Sequence, residues 1–497
     1  MKIGWSFADV TPEVGMDIPG QFYMRISKGT LDPVTVTCLL LEQDKEMAIF
    51  LTLDTVMCRM GLLDGIRDLV AAKKPEIPAE KILLSATHTH TAPAQVDDMV
   101  GEIPMDGIEM KPAADYFAFL IEKAAACVIE AYENRKVGGF AYGYGFATVG
   151  FQRRVAYFDD LSLRPGAVNN ATHGVNGKVK MYGNTNDDNF SHFEGGADPF
   201  VNLMFTFDEK ENLTGAIVNV PCPSQCSEKE YYYSADYWHN VRQMIREKYG
   251  DIFVLAQCAA AGDLAPRQLH YKAAKSRRYL LKYGNIETLA QDKERYIDRL
   301  ESASRIVAAF DEVYSWAKQE IIYDAPLQHR VEEFILPRRA IDEKTYEEAK
   351  VGLAEVMAEP FATEGTPEEN LTANTRLRSN RNRYRGIIEK YETNQKEPNM
   401  PMEAHIITLG PIAFASNQFE LFQDFQHRIQ ARSPFIQTFV VQLAAQPGRR
   451  SGSYLPTERA MEGRGYGASI YDNLTDHRGG QIIVEQTLKA LNEMHNG

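Results

Sequence analysis

The chain has 497 residues, of which 44% are hydrophobic and 25% are charged, and its net charge is −14 at pH 7. These proportions are those of an ordinary globular protein, so they exclude a disordered chain and a membrane-spanning one. The acidic balance also disfavours nucleic acid as a partner, because affinity for phosphate backbones depends on Lys and Arg.

The amino terminus predicts no export. Residues 1–9 lack the apolar run of about 7 to 15 residues that a secretory signal needs, and no later window approaches the length of a membrane span. We therefore expect a cytoplasmic protein without membrane insertion. The six cysteines are sparse and show no CxxC spacing, so we expect them to be reduced rather than paired in disulfides.

Strands and helices alternate along the chain, which predicts an α/β fold. In chain order, periodicity and turn residues predict strands at 34–41 and 47–53, a helix at 61–74, a strand at 81–86, a helix at 113–134, strands at 140–149, 201–207 and 214–220, a helix at 235–247, strands at 252–256, 404–409, 412–416 and 438–443, and a helix at 480–494. Residues 155–200 are rich in Gly, Asn and Asp and predict an irregular stretch. Two charged helical insertions, at about 268–320 and 342–395, are expected to be solvated scaffold.

Two histidines follow the short strand predicted at 81–86. His88 and His90 are two residues apart, so in an extended segment both point to the same face and can address one metal or one substrate. Strand ends in α/β sheets are also where ligands bind. One structural histidine and one exposed histidine would explain the same pair, and the spacing alone leaves both possibilities open.

A wider resemblance begins at this motif. Residues 85–93, Ser-Ala-Thr-His-Thr-His-Thr-Ala-Pro, resemble the signature of the neutral, non-lysosomal ceramidase family. Further segments resemble that family in the expected order along nearly the whole chain, at residues 7–12, 31–33, 152–154, 197–199 and 261–266. The resemblance implies a zinc-dependent hydrolase built as one composite α/β domain over 1–497, with mixed β-sheets flanked by helices.

The resemblance also implies zinc ligands. His88 takes the place of the family's first ligand histidine, and Tyr454 that of its ligand tyrosine. Glu420 takes the place of the ligand glutamate, although Gln418 and Phe419 replace the family's Pro-Gly before it.

The family's second ligand histidine is missing. Residues 221–224 read Pro-Cys-Pro-Ser where the family has a His-Pro pair, so Cys222 occupies the ligand position. A thiolate binds zinc well, and we expect Cys222 to be the fourth ligand. Two alternatives remain: Cys222 is a nucleophile, or it is a small buried hydrophobic residue. An alignment shifted by one residue would place Pro223 there and leave the shell incomplete.

Ala265 bears on the mechanism. It stands where the family carries a serine once proposed as the nucleophile, so hydrolysis here would have to use water. Zinc lowers the pKa of bound water to about 7 and so supplies hydroxide at neutral pH. His90 is then expected to take a proton, with Arg154 and Tyr466 as donors to the developing oxyanion.

Asp236 lies in a Ser-Ala-Asp segment that also resembles the family. In a functional role, its carboxylate would orient a metal ligand. Capping of the helix that follows would explain the same residue without any function.

Together these features predict a zinc-dependent amidohydrolase that acts on a soluble small molecule through metal-activated water. Two alternatives belong to other classes of function. The first is a hydrolase of an ester or a sugar-derived metabolite, because a fold does not fix a substrate. The second is an inactive homologue that binds a small molecule.

Overall fold

Two β-sheets lie face to face at the centre of the protein. The computed structural model describes residues 1–98, 101–167, 176–284 and 293–496. The larger sheet has eight strands in the order β14-β12-β11-β6-β1-β3-β4-β5, and both parallel and antiparallel neighbours occur in it. In chain order its strands are β1 (Lys2–Asp9), β3 (Thr35–Gln43), β4 (Glu46–Leu53), β5 (Ile82–Ala86), β6 (Lys136–Phe146), β11 (Phe200–Asp208), β12 (Leu213–Val220) and β14 (Phe253–Cys258).

The smaller sheet has four strands, β16 (Leu327–Pro337), β17 (Asn399–Leu409), β18 (Ile412–Ser416) and β20 (Gln437–Val441). Short ladders outside the two sheets pair β2 (Gly29–Thr30) with β13 (Tyr232–Tyr233), β7 (Phe151–Gln152) with β15 (Leu264–Ala265), β8 (Arg154–Tyr157) with β9 (Val179–Met181) and β10 (Phe190–Phe193), and β19 (Glu420–Leu421) with β21 (Tyr454–Leu455).

Helices cover the outer faces of both sheets. They are α1 (Leu62–Lys73), α2 (Ala113–Asn134), α3 (Tyr237–Tyr249), α4 (Lys272–Tyr283), α5 (Lys293–Ala317), α6 (Glu343–Ala358), α7 (Pro367–Lys396), α8 (Gln423–Arg432), α9 (Glu458–Gly463) and α10 (His477–Asn496). α1 and α2 pack on one half of the eight-stranded sheet, and α3 and α5 on the other half. α8 and α10 cover the four-stranded sheet, which completes a layered α/β/β/α arrangement.

The alternation of side chains along β3 explains why this strand lies between two cores. Val36, Cys38 and Leu40 point to one face of the strand and pack in the cluster under α1 and α2. Leu39 and Leu41 point to the other face and pack against the four-stranded sheet. A strand that is apolar on both faces is fully buried, as the continuous hydrophobic run in this part of the sequence indicates.

The α/β class predicted from the sequence is confirmed, and the helix predicted at 113–134 has those bounds in the structure. β1 and β16 were not predicted. β16 contains polar and charged residues on a half-exposed face, so it lacks a clear hydrophobic signal. Parts of the irregular stretch and of the first charged insertion, residues 168–175 and 285–292, lie outside the described residues. Among those that are described, no helix is long and apolar enough to cross a membrane.

Helices α6 and α7 pack against each other, and each contains a glycine that tests this packing. A methyl group at Gly386 would meet nothing within 4 Å, whereas one at Gly352 would lie 2.6 Å from the ring of Tyr384. We therefore expect Gly386→Ala to stabilise the protein by up to about 1 kcal/mol, because alanine has the higher helix propensity. Gly352→Ala should instead cost about 1 kcal/mol or more through overpacking. Urea denaturation of the two variants measures the difference, and equal midpoints would contradict the packing described.

Candidate functional site

A cavity of about 390 Å³ opens beside the turn that follows β5. Its lining includes His88 and His90 from that turn, Glu420 and Tyr454 from the β19–β21 ladder, and Tyr466 from the loop before α10. The structure thus brings five of the residues singled out in the sequence to one place, although they lie up to 378 positions apart in the chain.

The backbone and the ring of His88 are both held in place. The residue adopts φ of 63°, a left-handed conformation that is uncommon for any residue other than glycine. Its Nδ1 lies 2.6 Å from the carbonyl oxygen of Val56. A carbonyl oxygen can only accept, so Nδ1 carries the proton and Nε2 is the atom that faces the cavity. Such a backbone partner fixes the tautomer of many metal-binding histidines.

Nε2 of His88 faces other electron-rich atoms. Oε2 of Glu420 is 3.3 Å away, and Nε2 of His90 is 3.4 Å away. Burial and the neighbouring positive charges hold the pKa of His90 well below its usual range, so its imidazole is neutral. A proton on a histidine nitrogen, or a metal ion between the groups, would make each of these contacts favourable.

The pairing of β19 with β21 places Glu420 and Tyr454 side by side. Together with His88 and His90 they form one cluster of side chains. β19 and β21 are parallel, and Glu420 is paired directly with Tyr454. The amide of Glu420 donates to the carbonyl of Ser453 at 2.9 Å, which ties the two segments together. Burial by itself raises the pKa of Glu420, but His88, Arg153 and the hydroxyl of Tyr454 outweigh it, so the carboxylate is ionised.

Arg153 lies behind this ladder and completes the cluster. One of its terminal nitrogens donates to the carbonyl of Gly262 at 2.8 Å and to the hydroxyl of Tyr454 at 3.2 Å, and it lies 3.9 Å from Glu420. Its other terminal nitrogen donates to Tyr182 at 3.1 Å. The turn formed by residues 261–266 therefore serves to hold the guanidinium, and Ala265 in that turn is fully buried in the short ladder with β7.

Arg154, expected from the sequence as a donor to the oxyanion, is turned away from the cavity. It forms an ion pair with Glu194 and donates to the carbonyls of Tyr466 and Arg464 at 2.8 Å each. Consecutive residues of an extended segment point to opposite sides, so only one of this arginine pair can face the cluster. The role expected for Arg154 is therefore wrong, and its neighbour Arg153 is the arginine that contacts Tyr454 and lies beside Glu420.

Cys222 is not brought to the cluster. Its side chain is fully buried in the apolar core beneath α3 and α5, and its sulfur donates to the carbonyl of Pro223 at 3.5 Å. Burial raises the pKa of the thiol well above its usual range, which disfavours a reactive thiolate. The sequence left three interpretations of Cys222 open, and the geometry agrees with a small buried hydrophobic residue. The roles expected for Cys222 as a metal ligand and as a nucleophile are corrected. The segment itself does touch the site, because Ser224 donates to the carbonyl of Thr87 at 2.9 Å.

Asp236 caps α3. Its carboxylate accepts hydrogen bonds from the backbone amides of Tyr237, Cys226 and Ser227 at 2.7–3.2 Å. It does not line the cavity described above, and these three bonds occupy the carboxylate. The capping explanation therefore accounts for Asp236, and its expected role beside a metal ligand is corrected.

Tyr466 stands at the boundary between two cavities. Its ring contacts the rings of Tyr454 and Phe22 edge-on, at centroid distances of 5.3 and 5.7 Å. Phe22 and Tyr466 line both the cavity of the cluster and a neighbouring one of about 750 Å³. Burial raises the pKa of Tyr466 well above its usual value, so its hydroxyl keeps a proton that it can donate.

Two solved structures share this architecture. The neutral ceramidase from Pseudomonas aeruginosa superposes with a TM-score of 0.61 at 14% identity, over 99% of this chain and 74% of that one. A ceramidase complexed with C2 gives a TM-score of 0.62 at 13% identity, over 100% of this chain and 75% of that one. The chain has the neutral ceramidase fold. No protein-family model and no curated protein matches the sequence.

Zinc would impose a definite spacing on the donor atoms around His88. Bonds of about 2.0 to 2.1 Å place neighbouring donors of a tetrahedral ion about 3.3 to 3.4 Å apart. The separations of His88 Nε2 from Glu420 Oε2 and from His90 Nε2, 3.3 and 3.4 Å, agree with that edge length. Within the described part of the chain, no three His, Cys, Asp or Glu side chains form a group that could hold a metal ion.

The ceramidase-like fold also brings to the cavity residues that sequence reasoning missed. Arg383 and Lys390 of α7 line its outer wall with Arg59 and Arg450. The charged insertion at 342–395 was expected to be solvated scaffold, yet one face of α7 is buried against the site. The concentration of arginines between 376 and 385 was a visible signal, but a run of like charge on a helix usually marks a solvated face.

Proposed function

We propose that this protein is a zinc-dependent hydrolase that cleaves an amide bond in a soluble small molecule. The observation that carries the proposal is Nε2 of His88, which faces the carboxylate of Glu420 at 3.3 Å. A proton or a metal ion between the two atoms satisfies this contact, and the donor separations suit zinc. The likeness of the fold to ceramidases supports hydrolysis of an amide.

The metal would be held by His88, Glu420 and Tyr454, with His90 beside it. This set replaces the one expected from the sequence, because Cys222 points into the core. When bound, zinc supplies a Lewis acid and lowers the pKa of a water molecule so that hydroxide is present at neutral pH.

The side chains around the cluster are placed to assist the reaction. The hydroxyl of Tyr466 lines the cavity and would donate to the negative charge that develops on the acyl oxygen, while Arg153 holds the hydroxyl of Tyr454 from behind. His90 is neutral and can accept the proton that the attacking water loses. The water oxygen forms a bond to the acyl carbon, the C–N bond breaks with its electron pair passing to nitrogen, and the nitrogen takes up that proton, giving an amine and a carboxylic acid that releases its remaining proton to solvent as a carboxylate.

Metal content and turnover test the proposal together. The purified protein should contain close to one zinc per chain and should hydrolyse members of an N-acyl compound panel. Removal of the metal with a chelator should abolish turnover, and zinc should restore it, because the bound metal lowers the pKa of the attacking water to about 7. Elemental analysis and amine release measure the two quantities.

A matched pair of variants separates this site from the one expected from the sequence. His88→Ala should lose most of the zinc, whereas Cys222→Ala should keep it, because the sulfur lies in the apolar core. Loss of zinc in Cys222→Ala with an intact fold would contradict the proposed shell. Stoichiometric zinc with turnover of esters alone would favour the esterase alternative, and a chain that binds small molecules without zinc or turnover would favour the binding protein.

A further inference from the structure

The outer wall of the cavity carries four basic side chains. Arg383 and Lys390 come from α7, Arg59 from the loop before α1, and Arg450 from the loop between β20 and β21. The protein as a whole has a net charge of −14, so a basic group at the mouth of its candidate active site contrasts with the rest of the molecule.

Two of these cations are neutralised by the protein itself. Arg59 forms an ion pair with Asp98, and Arg383 forms one with Asp472 at 3.0 Å. The guanidinium of Arg383 is also held by the rings around it, since its central carbon lies 5.4 to 5.8 Å from the ring centroids of Phe22, Tyr466 and Tyr471. Its Nε is buried and has no hydrogen-bond partner among the described residues.

The other two cations lack a carboxylate partner in the described part of the chain. Lys390 donates to the backbone carbonyls of Ile470, Tyr471 and Asn473 at 3.1 to 3.2 Å. Burial lowers the pKa of Lys390 to about 8, and the charge of Arg450 lowers it in the same direction. Arg450 is exposed and makes no side-chain hydrogen bond or ion pair with any described residue.

The remaining carboxylate of the outer wall does not cancel this excess. Asp17 is buried and accepts a hydrogen bond from the backbone amide of Arg25 at 3.1 Å, and burial raises its pKa to about 6. Apart from Glu420, which belongs to the cluster beside His88, the lining contains four cations and three carboxylates. Arg450 is the accessible cation that lacks a partner among the described residues, and such a charge in a cleft attracts anionic ligands and raises their local concentration.

We propose that the substrate carries an anionic group, a carboxylate or a phosphate, which pairs with Arg450 while its acyl carbon lies beside His88. This inference rests on the proposed hydrolase function and names its substrate class. Arginine suits the task because its planar fork binds carboxylate and phosphate in the same two-pronged geometry. The anion would neutralise the surplus charge of the wall and approach the cluster from its outer end.

Three compounds that share one acyl group test the inference: an N-acyl amino acid, its neutral methyl amide, and an N-acyl aminoalkyl phosphate. For the wild-type protein, kcat/KM should be at least about tenfold higher for one of the anions than for the neutral amide. Arg450→Met should reduce this ratio by about ten- to a hundredfold. The preferred anion identifies the group as carboxylate or phosphate. Arg449→Met is the control and should keep the wild-type ratio, because Arg449 is not in the cavity lining and donates to the carbonyl of Pro401.

Calorimetric titration with succinate and inorganic phosphate separates the two proposals. One outcome is that no compound is hydrolysed, but one of these anions binds to the wild type and binds at least about tenfold more weakly to the Arg450→Met variant. In that case the anion site stands and the hydrolase proposal fails. Hydrolysis of the neutral amide as fast as of both anions, with a ratio unaffected by Arg450→Met, would overturn the anionic substrate and leave the hydrolase proposal intact.

Discussion

Replacing Glu420 by glutamine should lower kcat/KM by about a thousandfold or more, equivalent to about 4 kcal/mol of transition-state stabilisation. The substitution keeps the size of the side chain but removes the negative charge that faces Nε2 of His88 at 3.3 Å. A neutral amide is a weaker zinc ligand than a carboxylate, so zinc content should fall together with activity. Amine release and elemental analysis check both expectations.

The same substitution should also reduce stability, for a separate reason. Arg153 is buried, and Glu420 is the carboxylate nearest to it, at 3.9 Å. Loss of that carboxylate leaves a buried cation less well compensated, which is costly in proteins. The double variant Glu420→Gln, Arg153→Met removes both charges and should recover part of the lost stability without recovering activity. Recovery of activity in the double variant would contradict the role given to Glu420.

A surface control separates loss of the site from a general loss of acidic charge. Glu458 begins α9, and its side chain is 73% exposed, so Glu458→Gln should retain the turnover and zinc content of the wild type. If Glu420→Gln behaved like this control, the carboxylate would have no part in the reaction, and the cluster around His88 would have to be reassigned.

The fold could be predicted where burial follows a simple period. The helix at 113–134 has one apolar side along its whole length, and its bounds agree with those in the structure. β16 was not predicted because Arg330, Glu332 and Glu333 place charges on both faces of the strand, so the alternation that indicates a strand is weak there. Packing against β17 over eleven paired positions, which no local pattern reveals, makes this segment a strand.

The candidate site could be predicted only in part, and the errors share one cause. A motif fixes where a residue lies along the backbone, but it does not fix the direction of its side chain. Cys222 lies in a segment that touches the turn containing His88, yet the side chain points into the core beneath α3. Arg154 and Arg153 differ by one position, and the alternation of an extended segment decided which of them meets Glu420.

The convergence of His88, Glu420 and Tyr454 was anticipated through resemblance to a family and not through periodicity. Their proximity depends on contacts between distant parts of the chain, above all the β19–β21 ladder. Arg383 and Lys390, in contrast, were predicted neither from periodicity nor from the resemblance. They lie on a helix whose polar sequence suggests solvent, and tertiary packing alone turns one of its faces toward the cavity.

Gly262→Ala should cost at least about 2 to 3 kcal/mol of stability and should also empty the metal site. A methyl group at Gly262 would lie 2.3 Å from the carbonyl oxygen of Glu420 and 2.7 Å from its carbonyl carbon, and a backbone cannot yield as a flexible side chain does. The amide of Gly262 donates to the carbonyl of Leu421 at 2.8 Å, so a shift at this glycine displaces β19, the strand that contains Glu420. The carbonyl of Gly262 also holds Arg153, so the cation of the cluster would move as well.

Gly196→Ala is the matched control. Its carbonyl accepts a hydrogen bond from Gln423 close to the same ladder, but a methyl group there would meet nothing within 4 Å. We expect wild-type stability, zinc content and turnover for this variant. Urea denaturation and elemental analysis of the two variants measure the contrast. A metal site tolerates little displacement of a ligand, and the neighbours of Glu420 are fixed by the β19–β21 ladder and by the strained backbone of His88. Full zinc occupancy in Gly262→Ala would therefore show that Glu420 does not need the backbone position described here.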